Sequence, residues 1–294
     1  MEKVLLTGSN GFTGRYVKKE LQRQGYEVIG LVRENAIDGE IVCDITNKFD
    51  VKRCLDIVRP DYIIHLAALS FVGHSEQKSF YDVNVFGTLY FLEAVHELLL
   101  PIKKIILSSS ANVYGTPKVS GLVQESAQPS PVNHYAMSKL AMEHMSKLWF
   151  EELPIVITRP FNYTGPGQDD KFLIPKIINH FRLGKKSIEL GNIDVYRDFS
   201  DVRDIAKAYV KILTSDLRSD VINLCSGKVY SLEEIISKIE GIAGYQIDVK
   251  VNQNFVRANE IKILCGDNSK LNRLVEFSPS IEIEKTLSDM FLSK

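Results

Sequence analysis

Short, wholly apolar runs alternate with longer stretches of helical period through the first two hundred residues. Runs of this length, bounded by turn residues and apolar on both faces, predict buried parallel strands. The pattern predicts strands at Lys3–Thr7, 27–33, 40–43, 62–68, Lys104–Ser108 and 154–158. Between them it predicts helices at 13–24, 47–58, 84–99 and 133–152, the first stopped by Gly25 and the second by Arg59-Pro60. Strict strand–helix alternation implies an α/β fold with a doubly wound parallel sheet. After residue 161 the alternation loosens. Helices are predicted at 172–183 and 201–214 and a late strand at 221–226. The predicted division is therefore a main domain of residues 1–161, to which 201–227 returns, and a smaller, sequence-discontinuous lobe of 162–200 and 228–294.

The turn after the first strand reads Gly8-Ser-Asn-Gly11-Phe-Thr-Gly14. Strand, glycine loop and helix within roughly thirty residues form a dinucleotide fingerprint, which makes the sheet Rossmann-type. The glycines allow a tight turn and let a pyrophosphate approach the free N–H groups at the helix start. The spacing is Gly-x2-Gly-x2-Gly, and in this the chain resembles the extended short-chain dehydrogenase/reductase family, nucleotide-sugar-modifying branch, nearly end to end. The resemblance implies that Gly8, Gly11, Phe12, Thr13 and Gly14 hold the cofactor, that Asp44 and Ile45 meet its adenine, and that Leu66, Ala67 and Ala68 wall it. It also implies that Asn84 braces the active-site backbone, while His65 reads as structural. The second strand ends in Val32-Arg33, without the carboxylate expected for a ribose 2′-OH. A guanidinium there favours a 2′-phosphate, hence NADP(H), with NAD(H) remaining open.

The candidate chemistry lies at Ser108-Ser109-Ser110, ending the fifth strand, and at Tyr135 and Lys139. Residues four apart share a helix face, so Tyr135 and Lys139 can enter one pocket. An unperturbed phenol has a pKa of roughly 10. A neighbouring ammonium favours the phenolate and is expected to bring that value toward the working range. Ser110 can donate to a substrate oxygen while Tyr135 passes it a proton, given a hydride carrier alongside. Alignment with the family makes Ser110 the catalytic hydroxyl, with Ser109 the alternative and a substrate contact. Glu125, in the Pro- and Gly-containing loop 115–131, is a possible further contact.

Three segments bear on the substrate. Arg159-Pro-Phe-Asn162 with Gly165-Pro-Gly-Gln168 resembles the family segment joining nicotinamide to a sugar diphosphate, which implies a hydrogen bond from Asn162. Gly191-Asn-Ile-Asp-Val-Tyr-Arg197-Asp-Phe-Ser-Asp-Val-Arg203-Asp204 resembles a stretch of GDP-sugar reductases. Arg197 would clamp the diphosphate, a role suited to a planar bidentate donor; Arg203 and Asp204 are expected to pair at a helix start. Arg257 would be the second diphosphate contact, and Glu260 stands where an aspartate is usual. Ala111-Asn112 occupies the place where sugar-nucleotide dehydratases carry Asp-Glu, so elimination is not expected. The resemblance then implies NADPH-dependent reduction of the C4 ketone of a nucleotide-linked 4-keto-6-deoxyhexose, foremost GDP-4-keto-6-deoxy-mannose to GDP-rhamnose or GDP-6-deoxy-talose. The alternatives are a dTDP-, CDP- or UDP-linked substrate, an NAD-dependent C4 epimerase, and a non-catalytic NADP sensor.

Composition narrows the setting. Lys+Arg 36 against Asp+Glu 37 leaves a net charge of -1, so no nucleic-acid partner is expected. Cys43, Cys54, Cys225 and Cys265 include no Cys-x2-Cys pair, which argues against a metal site and for reduced thiols in a cytoplasmic protein. No apolar run approaches the ~18 residues needed to cross a membrane. The chain enters its first strand directly, so no signal peptide is expected. A homodimer through helices near 79–99 and 133–152 is implied by the resemblance alone.

Overall fold

The structure is a computed structural model and describes residues 1–70, 76–116, 121–256 and 260–293. The first half of the chain comprises β1 (Lys3–Thr7), α1 (Phe12–Arg23), β2 (Glu27–Val32), β3 (Glu40–Val42), α2 (Lys48–Val58), β4 (Tyr62–His65), α3 (Gln77–Tyr81), α4 (Gly87–Glu97), β5 (Lys104–Ser108), α5 (His134–Lys147) and β6 (Ile155–Pro160). The second half comprises β7 (Asn162–Thr164), α6 (Leu173–Arg182), β8 (Ser187–Leu190), β9 (Tyr196–Asp201), α7 (Val202–Thr214), β10 (Asp220–Leu224), β11 (Val229–Ser231), α8 (Leu232–Ala243), β12 (Asp248–Val251), β13 (Ile263–Leu264), α9 (Ser269–Val275) and α10 (Ile283–Leu292).

Seven parallel strands form the main sheet in the order β10-β6-β5-β4-β1-β2-β3. Side chains alternate across a strand, so each apolar run feeds two cores. Val4, Leu6, Ile64 and Ile106 pack against Val17 and Leu21 of α1 and Ile205 and Tyr209 of α7. Leu5, Ile63, Ile105 and Ile155 pack on the other face against α2, α4 and α5, through Leu55, Phe91 and Met142. A third core joins α6, α8 and α10, through Ile177, Ile235 and Leu287, to the small sheets holding β8 and β9.

The predicted alternation and sheet are observed, with local differences. β4 leaves the ladder at His65, because the amide of Ala67 is taken by the Thr7 hydroxyl at 2.9 Å. Asn84 does not open a helix; it lies within a helical run beginning at Gln77, inside a π turn over Asp82–Phe86. Helix α5 stops at Lys147, short of residue 152. Residues 269–275, expected in the smaller lobe, pack on the main sheet: Leu271 and Val275 of α9 sit in the core built on α1 and α7. Four residues apart, they share the helix face that meets α7.

Candidate active site

The strand order reverses between β1 and β4, and a crevice at such a switch point is where doubly wound sheets bind ligands. A cleft of about 2080 Å³ opens there. Pockets for a single small molecule are roughly 300–1,000 Å³, so this one has room for two. Its floor is the glycine loop. Gly8 has φ +67°, and a Cβ on it would meet the Ala67 amide nitrogen at 3.1 Å; a Cβ on Gly14 would lie 2.0 Å from the Gly8 carbonyl oxygen. Gly11 caps α1 without any side-chain bond, so the N–H groups of the first turn face the cleft. A dinucleotide pyrophosphate fits this cradle, at the positive end of a helix dipole. Phe12, Thr13, Leu66, Ala67 and Ala68 line the cleft beside the loop, and Arg33, Asp44 and Ile45 line its far end. The Asp44 carboxylate is fixed by Thr46, accepting from its amide at 2.9 Å and its hydroxyl at 2.7 Å. Arg33 is exposed at the rim.

Ser110, Tyr135 and Lys139 meet where β5 ends against the first turns of α5. Asn133 caps α5, accepting from the Ala136 amide at 2.8 Å, and this points Tyr135 back at the strand end. Ser110 and Tyr135 line the cleft together, and the Ser110 hydroxyl oxygen accepts from the Asn112 amide at 3.2 Å. The tyrosine is 8% exposed. Burial pushes its pKa up to about 12, opposed by nearby Ser110 and reinforced by Tyr163. The expected lowering by the neighbouring ammonium is thus not what tunes this phenol. Lys139 points its ammonium at the Ser108 carbonyl, donating at 2.7 Å, and burial outweighs the rest. Burial lowers the Lys139 pKa to about 8, against the opposing pull of Glu143.

The supporting residues divide cleanly. His65 shares hydrogen bonds with the Thr7 and Thr88 hydroxyls at 2.9 and 3.1 Å. Burial, then Lys139, depress it to about 3, so it is a neutral structural histidine. Asn84 accepts from the Leu69 amide at 3.0 Å and donates to Ser138 of α5 at 3.0 Å, tying the chain after β4 to the helix that carries Tyr135.

Ser109, expected against the substrate, lines the cleft but has its hydroxyl turned inward. Its hydroxyl donates to Glu143 at 2.5 Å. Glu143 is fully buried and receives Arg159 through two bonds, 2.9 and 2.6 Å. Arg159 also donates to the Tyr114 hydroxyl at 3.0 Å and the Glu125 carbonyl at 3.2 Å. The Glu125 carboxylate accepts from the Asn223 amide at 2.8 Å, so this residue braces β10 and does not reach the cleft as expected. Glu143 was not singled out from the sequence, although Tyr135, Lys139 and Glu143 fall four apart on one face of α5.

At the other end of the cleft Asn162 is exposed to it. Arg197 also lines the cleft but is paired, donating to Glu260 at 2.6 Å and to the carbonyls of Tyr196 and Lys262 at 2.9 and 3.2 Å. Arg257 lies outside the described residues. Arg203 does not pair with Asp204. It bonds Asp201 at 2.8 and 2.6 Å and Asp289 at 2.7 Å. Asp204 instead accepts from the Ser280 and Ile281 amides, both at 2.7 Å. The helix start holds the returning chain on one side and α10 on the other. Among the described residues, no group of three or more His, Cys, Asp or Glu could hold a metal ion, and no helix is long and apolar enough to cross a membrane.

A glycine loop at the switch point of a parallel sheet, facing a buried serine, tyrosine and lysine, defines a nucleotide-dependent oxidoreductase of the extended short-chain type. The GDP-mannose 4,6 dehydratase family profile matches residues 5–290, and the chain belongs to that family. It is 37% identical over 272 residues to GDP-6-deoxy-D-talose 4-dehydrogenase from Aggregatibacter actinomycetemcomitans, covering 92% of this chain and 90% of the relative. It is 32% identical to GDP-6-deoxy-D-mannose reductase from Pseudomonas aeruginosa, covering 78% of each. The solved structure of RMD from Pseudomonas aeruginosa complexed with NADPH superposes with a TM-score of 0.87 at 28% identity, covering 99% of this chain and 98% of that one.

Proposed function

We propose that this enzyme reduces the C4 ketone of a GDP-linked 4-keto-6-deoxyhexose with NADPH. The observation that carries the reading is that buried Ser110, Tyr135 and Lys139 converge on the wall of one cleft sized for two ligands. When bound, the nicotinamide supplies a hydride. Tyr135 holds its proton throughout the working range and is the donor to the C4 oxygen. Ser110 fixes that oxygen by a second hydrogen bond, and the Lys139 ammonium stabilises the phenolate left behind. Dehydration would need an acid and a base beside Ser110. Ala111 and Asn112 stand there, and Ala111 is buried. Two relatives named for oxidoreduction of GDP-6-deoxyhexoses support the same reading.

Incubation with NADPH and a panel of nucleotide-linked 4-keto-6-deoxyhexoses is expected to consume cofactor fastest with the GDP sugar, with the product assigned by NMR. Turnover without added NADPH, from copurified NAD, would mark a C4 epimerase instead. Arg33 is the proposed 2′-phosphate contact. Charge-assisted bonds contribute roughly 1.5–3 kcal/mol, so Arg33→Ala is expected to raise KM for NADPH about tenfold or more and to leave that for NADH unchanged. Equal effects on both cofactors would remove Arg33 from the site. Asn162 and Arg197 are the proposed contacts to the sugar diphosphate. Exposed Leu99 and Leu148, at the ends of α4 and α5, support a homodimer through those helices. Four buried, unpaired cysteines suit a cytoplasmic protein.

A further inference from the structure

Three consecutive residues at the end of β5 face three residues spaced one turn apart on α5. Ser110 lines the cleft with Tyr135, the Ser108 carbonyl accepts from Lys139 at 2.7 Å, and the Ser109 hydroxyl donates to Glu143 at 2.5 Å. The first two pairs contain groups of the reaction. The third lies deepest, and its carboxylate is gripped by the Arg159 guanidinium of β6. Arg159 is in turn stacked over the Tyr114 ring at 4.8 Å, and the Tyr114 hydroxyl donates to Asn223 of β10 at 2.7 Å. The carboxylate is thus held by β5 and β6 at once and cannot rotate independently of either.

We propose that Glu143 is a positioning residue for the reaction: held by Arg159 and Ser109, it keeps Lys139 charged and keeps the Tyr135 face of α5 in register with the end of β5. This rests on the ketoreductase reading given above. Around Lys139, His65 of β4 is neutral, and Tyr135 on its own helix, Tyr163 of β7 and Tyr209 of α7 are phenols raised above their ordinary range by burial. Among the described residues, the charge that acts on Lys139 is that of Glu143, with the Arg159 guanidinium behind it. The carboxylate is the nearer, one turn along the same helix face, and it opposes the loss of the Lys139 proton that burial favours. Without it, burial and the Arg159 cation act in the same direction.

The test reads Lys139 directly. Protein labelled at lysine side-chain carbons is titrated by NMR, with the Lys139 signal assigned by its absence in Lys139→Met. The wild-type midpoint is expected near 8. In Glu143→Gln it is expected roughly one unit lower, the scale of a single close charge. In the double variant Glu143→Gln/Arg159→Gln it is expected between the two. The alkaline fall in kcat/KM should move with the midpoint. Should the single variant fail to fold, Glu143→Asp, expected to keep the wild-type midpoint, and the double variant carry the comparison. An unmoved midpoint in the neutralised variants, with activity lowered equally at every pH, overturns the proposal and leaves Glu143 a purely structural residue. A double-variant midpoint at or below that of the single variant also overturns it. The titration needs no substrate, so it stands apart from the reduction assay; absence of reduction by the wild type would remove only the activity reading.

Discussion

Tyr135→Phe is expected to lower kcat for ketone reduction by about 10²–10⁴-fold, the usual worth of a positioned general acid, while NADPH binds nearly as before. The substitution removes one oxygen and little packing. The ring is held at the start of α5, 6.1 Å from Phe80, in surroundings that a phenylalanine fills equally well. Ser110 beside it keeps its bond from the Asn112 amide when the phenol is gone. What is lost is the proton at the one place where C4 alkoxide would form. The phenol sits at about 12, so its acid form is fully populated up to the pH at which Lys139, near 8, loses its charge. The wild-type alkaline limb therefore belongs to the lysine, and Tyr135→Phe should lower the whole profile without moving that limb. Turnover near the wild-type rate in this variant would remove the proposed acid.

Much of the sheet is legible because its information is local. The run at Lys3–Thr7 and that at Lys104–Ser108 are bounded by turn residues, and both are strands with those limits. Tyr135 and Lys139 are legible for the same reason: a four-residue step on a helix fixes their relation before the fold is known. Ser109 shows a local rule left unused. Side chains alternate along an extended chain, so if Ser110 faces the cleft, Ser109 faces away, where it meets Glu143. Other features depend on pairings that sequence order conceals. Arg159 finds Glu143 across the β5–β6 neighbourhood, and Arg197 finds Glu260 only because β13 lies alongside β9. The Tyr135 pKa is a third kind. Its direction is set by how deeply α5 buries the phenol, and no spacing of tyrosine and lysine reports depth. The short helix α9 went to the main sheet because two of its three apolar residues, Leu271 and Val275, met α7, a contact between segments far apart in the chain.

Gly14→Ala is expected to cost NADPH affinity more than any other single-atom change in the cofactor loop. The added Cβ would fall 2.0 Å from the Gly8 carbonyl oxygen and 2.8 Å from both the Gly8 carbonyl carbon and the Ser9 Cα. All three are backbone atoms, so no side chain can swing aside. The Gly8 carbonyl cannot retreat either. It accepts from the Gly11 amide at 3.0 Å, which closes the loop, and Gly8 already lies against the backbone of Leu66 and Ala67. The remaining movement is of α1 itself, away from the sheet. That helix is tethered by the Thr13–Tyr163 hydroxyl pair at 2.8 Å, by Tyr16 donating to the Pro166 carbonyl at 2.8 Å and by Arg15 donating to the Gly167 carbonyl at 3.0 Å. Overpacking of this kind costs roughly 1–3 kcal/mol, equivalent to about 5- to 150-fold if it falls on cofactor binding. Gly241→Ala is the matched control. It lies in α8 with open space around its added atom, and removing a helical glycine there should be neutral or stabilising by up to about 1 kcal/mol. Fluorescence titration with NADPH and thermal unfolding of both variants separate the two outcomes. Wild-type affinity in Gly14→Ala would mean that the pyrophosphate is not seated on this loop, and the assignment of the cofactor cleft would fall with it.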